Sequence, residues 1–146
     1  MSAQRDAIDE ANAAIGAAVS TLGLPRRLDT VLGEVQRELL DLAEAVDAGR
    51  TPARPSAVNR LLAEYSSFEA PSETPTAWDA VSAGYSPAAG LLKLARMVTL
   101  RASRSVTGDA AVWLSRLAEA LLGAAVHVER RERDLVPFGF CPNAGP

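Results

Sequence analysis

The stretch Leu28-Asp-Thr-Val-Leu-Gly-Glu-Val-Gln-Arg-Glu-Leu-Leu-Asp-Leu-Ala-Glu-Ala-Val-Asp-Ala-Gly49 decides the fold. Its large apolar residues Leu28, Leu32, Val35, Leu39, Leu42 and Val46 recur at alternating steps of four and three, which places them on one face of an α-helix. Gly49 stands where such a helix ends. The spacing also suits a coiled-coil seam, but three heptads is short for one, and the core face of a helical bundle is the reading adopted.

Working outward, the sequence predicts four more helices. Toward the N-terminus, Asp6 to Leu22 is dense in Ala, with Ile8, Ile15 and Val19 interspersed, and is stopped by Gly23 and Pro25. After Gly49, the segment Arg50-Thr-Pro-Ala-Arg-Pro-Ser56 reads as a linker, with Ser56 placed to cap a short helix through Val58, Leu61, Leu62, Tyr65 and Phe68. Pro71-Ser-Glu-Thr-Pro75 then opens a loop to about Tyr85, long enough to carry function. Ser86-Pro87 launches a helix through Leu91, Ala95, Val98 and Ala102 to Gly108. Asp109 is placed to cap the last helix, built on Val112, Leu117, Leu121, Ala124 and Val128. The expected architecture is all-α, a five-helix bundle over residues 1–136 with an irregular tail over 137–146.

Composition agrees. The 146 residues are 48% hydrophobic but only 5% aromatic, the apolar share coming from Ala, Leu and Val, which disfavours a sheet-rich fold and bounds the chain to one domain. A net charge of −3 gives no basic stripe for nucleic acid. One cysteine, Cys141, and one histidine, His127, cannot make an intrachain disulfide or a four-ligand zinc site, so no metal is expected. There is neither a signal-peptide pattern at the start nor an uninterrupted apolar run of about 18 residues, so a soluble, cytoplasmic protein with no membrane partner is expected.

Between Pro87 and Gly108 the charged side chains are Lys93, Arg96, Arg101 and Arg104, with no carboxylate among them. Lys93, Arg96, Leu100 and Arg104 share a helical face with Arg101 beside it, which reads either as an anion site or as a solvated, ion-paired surface. Asp9, Glu10 and Asn12 form a polar cluster in the Ala-rich first helix. His127, flanked by valines, reads as structural. Trp113 is read first as core and second as a pocket wall, and Trp78 is the other large aromatic. No glycine-rich phosphate loop and no Cys/His nucleophile pair is present.

Four segments in register resemble the PduO-type ATP:cob(I)alamin adenosyltransferases, which are five-helix bundles assembled as trimers. They are Ile8-Asp-Glu-Ala-Asn-Ala-Ala-Ile-Gly16, Val35-Gln-Arg-Glu-Leu-Leu-Asp-Leu42, Ser86-Pro-Ala-Ala-Gly-Leu-Leu-Lys-Leu-Ala-Arg96 and Trp113-Leu-Ser-Arg-Leu-Ala-Glu-Ala-Leu-Leu122, spanning roughly residues 7–128. The resemblance implies a homotrimer in which Asp9 and Arg96 bridge neighbouring subunits beside the active site. It also marks departures. The family's Thr-Gly-Asp-rich ATP loop has no counterpart in the seven residues before Ile8. The ATP-contacting arginine four residues after Arg96 is Leu100, the next arginine is kept as Arg101, and the glutamate two beyond it is Ser103. The asparagine, arginine and aspartate of the last helix fall on Ser115, Arg116 and Glu119. The loop phenylalanine that shapes the corrinoid site falls on Ala80 and its proline on Ala83, with Trp78 or Tyr85 placed to compensate.

The expectation is therefore an adenosyltransferase-like trimer that has lost ATP binding and adenosyl transfer and holds a corrinoid or other small molecule between subunits. Its candidate pocket residues are Asn12, Trp78, Tyr85, Arg96, Leu100, Arg101, Trp113, Ser115 and Arg116. Two alternatives stay open: a repurposed enzyme of small-molecule metabolism, with Asp9 and Glu119 as acid and base and Arg96 and Arg101 as anion holders, or a non-catalytic partner of a full-length relative.

Overall fold

The computed structural model describes residues 2–65, 76–81 and 86–135. Six helices are seen: α1 (Ala3–Ser20), α2 (Arg26–Asp47), α3 (Ser56–Tyr65), α4 (Ala77–Val81), α5 (Pro87–Ser105) and α6 (Asp109–Leu135), with no strand among the described residues. The five predicted helices are all present. Helix α1 starts three residues early because Ser2 caps it, its hydroxyl accepting from the Arg5 amide at 3.1 Å.

Several local expectations are corrected. Helix α3 is capped not by Ser56, which is its first residue, but by Glu38 of α2, whose carboxylate accepts from the amides of Ala57 at 2.6 Å and Val58 at 3.4 Å. A carboxylate suits the positive end of a helix, so this bond also fixes α3 against α2. Asp109 is likewise the first residue of α6 rather than its cap, and α5 ends at Ser105, ahead of Gly108. Helix α4 lies inside the segment expected to be loop. Its capping box is reciprocal: Asp79 accepts from the Thr76 amide at 2.8 Å and donates its own amide to the Thr76 hydroxyl at 3.2 Å. At the end of α1 the left-handed residue is Leu22, with φ of 59°, and not Gly23. Gly23 serves a different purpose, since a Cβ there would come within 3.3 Å of the Ala88 Cβ. The expected tail, with Cys141, lies outside the described residues.

The five long helices close a ring in the order α1, α2, α3, α6, α5 and back to α1. The pairs α1/α2, α2/α3, α5/α6 and α1/α5 run antiparallel, tied at Asn12–Gln36, Arg60–Glu34, Lys93–Glu129 and Arg101–Glu10. An odd ring cannot alternate throughout, and α3 and α6 are the parallel pair. At their seam the rings of Tyr65 and His127 meet edge to face at 5.1 Å.

The apolar face quoted at the outset fills the middle of this ring, with Leu28, Leu32, Val35 and Leu39 fully buried, so the stripe is bundle core. Each such leucine contributes about 1.5–3 kcal/mol by leaving water. Fully buried alanines at 11, 18, 89, 95, 124 and 125 let the backbones approach closely where larger side chains would hold them apart. In α6 the stretch Asp109–Glu132 is long and apolar enough to cross a membrane by length and composition, but 61% of its most apolar window is buried within the bundle. It is the core helix of the bundle.

Candidate functional site

A groove of about 520 Å³ runs along the outer side of the bundle between α1 and α2, lined by Asp9, Asn12, Ala13, Gly33, Gln36, Arg37 and Leu40. Its shape follows from small residues, Ala13 on one wall and Gly33 on the other. Between the walls, Asn12 and Gln36 hold the two helices together by reciprocal bonds: Asn12 Nδ2 donates to the Gln36 carbonyl at 3.0 Å and Gln36 Nε2 to the Asn12 carbonyl at 3.3 Å. Gly16 leaves room for that arrangement, since a Cβ there would lie 2.9 Å from Gln36 Nε2.

Charges at the groove are unequally engaged. Asp9 lies 3.7 Å from Arg5 Nε one helical turn back, with 43% of its side chain exposed, so it keeps acceptor capacity toward the outside. Arg37 is exposed and pairs with no carboxylate among the described residues. Arg5 also reaches Asp47 at 3.3 Å, and Ser2 donates its amide to the same carboxylate at 3.2 Å. Hydrogen bonding from the Ser2 side chain first, then from Arg5, holds the Asp47 carboxyl below its usual range.

Helix α5 does not carry a continuous basic stripe. Lys93 is only 4% exposed and lies under α6, its ammonium 2.9 Å from the buried Glu129 carboxylate. Farther along, Arg96 and Leu100 are half-buried, and Arg96 meets only the Met97 sulfur among the described residues. Arg101 is neutralised by an ion pair with Glu10 of α1. Of the four cations read from the sequence, Arg96 and Arg104 are left without a carboxylate partner among the described residues.

The remaining candidates do not converge within one chain. Trp113 is 5% exposed and takes the core role, beside Leu42 and Pro52. Ser115, Arg116 and Glu119 are exposed on α6, whose ring neighbours are α3 and α5, so Glu119 and Asp9 stand on non-adjacent helices. Trp78 is 73% exposed on α4, Ala80 is buried on the same helix, and Tyr85 and Ala83 lie outside the described residues. Asp9 and Arg96 are both half-buried and do not bond to each other inside the chain. No group of three or more metal-ligating side chains occurs among the described residues.

Gly33, Gln36, Arg37 and Leu40 are not among the sequence-derived candidates because neither the core stripe of α2 nor its resemblance to the family marks the outward face of that helix. A glycine in the interior of that helix was the available signal.

No curated protein and no solved structure matches the chain. The family model described as cobalamin adenosyltransferase matches residues 4–128, which runs from α1 into α6. With that span and an all-helical bundle of the expected order, the chain belongs to the cobalamin adenosyltransferase family.

Proposed function

We propose that this family member no longer transfers an adenosyl group from ATP, and that it binds a corrinoid or another small molecule in a cleft between the subunits of a homotrimer. The observation that carries this is the state of α5: Leu100 adds no charge and Arg101 is already paired with Glu10. A triphosphate is gripped by several cations free to donate, each charge-assisted hydrogen bond being worth about 1.5–3 kcal/mol. Losing the contact at Leu100 alone lowers affinity by roughly tenfold or more.

The trimer is supported by complementary faces. Asp9 on one side of α1 and Arg96 on α5 each have capacity to spare, and apolar side chains stand exposed beside both, Leu40 at 48%, Leu94 at 55% and Met97 at 46%. A contact between α5 of one copy and the α1–α2 face of the next is head-to-tail, the kind that closes into a ring.

The test is titration of the purified protein with ATP by calorimetry and with hydroxocobalamin by absorption spectroscopy. A corrinoid spectral change without saturable ATP heat is expected. Tight ATP binding together with adenosylcobalamin formation under reducing conditions overturns the proposal. Asp9→Ala and Arg96→Ala should each lower the mass seen by light scattering, and an unchanged mass for both removes the bridge.

A further inference from the structure

Gly33 has no explanation inside the chain. It sits in the interior of α2, where glycine is less stable than alanine by roughly 0.5–1 kcal/mol. Close packing normally justifies such a residue, yet a Cβ added at Gly33 would meet nothing within 4 Å. Its neighbours one turn on are Arg37, exposed and without a carboxylate partner among the described residues, and Gln36, whose carboxamide is held by the Asn12 carbonyl. Leu40, a further turn along, is exposed at 48% and lines the same groove. The groove thus joins an open, shallow floor at Gly33 and Ala13, an apolar rim at Leu40 and, at Arg37, a guanidinium with no carboxylate partner among the described residues.

We infer that the α1–α2 groove is a binding site for an amphiphilic acid: a molecule that lays a flat apolar face over Gly33 and Ala13, against Leu40, and presents an oxyanion to Arg37. A planar guanidinium suits carboxylate, phosphate and sulfonate alike, because all offer two oxygens to its paired N–H donors. The Asn12–Gln36 bonds keep the floor rigid, so no side chain has to be displaced on binding. The inference deepens the reading of the chain as a small-molecule binder by naming the ligand chemistry and the residues that select it.

The substitution at Gly33 separates binding from folding. Gly33→Ala adds a better helix former in open space and should melt no lower than wild type, while Gly33→Leu should close the groove. The probe is 8-anilinonaphthalene-1-sulfonate, a flat aromatic sulfonate whose fluorescence rises on binding. Wild type should bind it saturably, Arg37→Gln about tenfold more weakly, and Gly33→Leu not measurably, with Val112→Gln, 60% exposed on α6, unchanged. The inference fails if wild type does not bind the probe, if Gly33→Leu and Arg37→Gln bind as wild type does, or if Val112→Gln alone abolishes the signal.

Hydroxocobalamin titrations of the same variants tell the two proposals apart. Probe binding that tracks Gly33 and Arg37, with no hydroxocobalamin binding, keeps the groove and removes the corrinoid. Hydroxocobalamin binding that ignores both residues keeps the corrinoid and removes the groove as its site.

Discussion

Replacing Lys93 with methionine removes the ammonium that the Glu129 carboxylate faces at 2.9 Å, between side chains exposed by only 5% and 8%. Two opposite unit charges that close attract by roughly 6 kcal/mol at an effective dielectric of about 20. Taking each of them out of water costs several kcal/mol, so the intact pair adds little net stability. The single substitution is different, because it strands a buried carboxylate between α5 and α6, at a cost of about 3–5 kcal/mol. For a chain of this size each kcal/mol moves the melting temperature by about 2–4 °C, so Lys93→Met should melt roughly 6–20 °C lower. Lys93→Met/Glu129→Leu, which removes both charges and keeps apolar volume, should be more stable than Lys93→Met alone. Urea denaturation followed by far-ultraviolet circular dichroism reads both values, with the slope unchanged if the denatured states are alike. A single variant within about 1 kcal/mol of wild type would refute the buried pairing. So would a double variant whose loss equals the sum of the two singles.

Two further outcomes are expected. Leu22→Gly should stabilise the protein by roughly 0.5–1 kcal/mol, because the left-handed conformation costs a side chain roughly 1–2 kcal/mol and Leu22, 89% exposed, gives up no burial; a lower urea midpoint would contradict the strain. For Asp79, the Thr76 amide bond holds the carboxyl below its ordinary 3.8, so the stabilisation of α4 is complete above that value and is lost as pH falls through the lowered one. In a Trp113→Phe background the fluorescence of Trp78 should change over that acid range in wild type and not in Asp79→Asn, and identical pH profiles would exclude the capping role.

Much of the bundle is legible because its signals are local. The α2 stripe and the Ser86-Pro87 start of α5 each state their helix within a few residues. Thr76-Ala-Trp-Asp79 states α4 equally well, but a five-residue helix has no apolar periodicity to draw attention to it. Lys93 was misplaced for a different reason: a helical wheel gives direction but not depth, and the depth comes from Glu129 on another helix. The groove is hardest to read. Asn12 and Gln36 are far apart in sequence, and only the α1/α2 register reveals that each amide is occupied by the other's backbone. The scatter of Trp78, Arg96, Trp113 and Arg116 has the same origin, since resemblance ranks residues by motif while the ring places them on different sides.

The ring's order also bears on how the chain is made. Helix α1 is enclosed by α2 on one side and α5 on the other, and α5 emerges late. At about 5–20 residues per second, synthesis leaves the α5-facing side of α1 waiting several seconds for its partner. During that time the α1–α2 hairpin is an open pair of helices with part of its apolar surface unmatched. Slowing or pausing translation before Pro87 should therefore lengthen the exposure of that surface to chaperones and proteases.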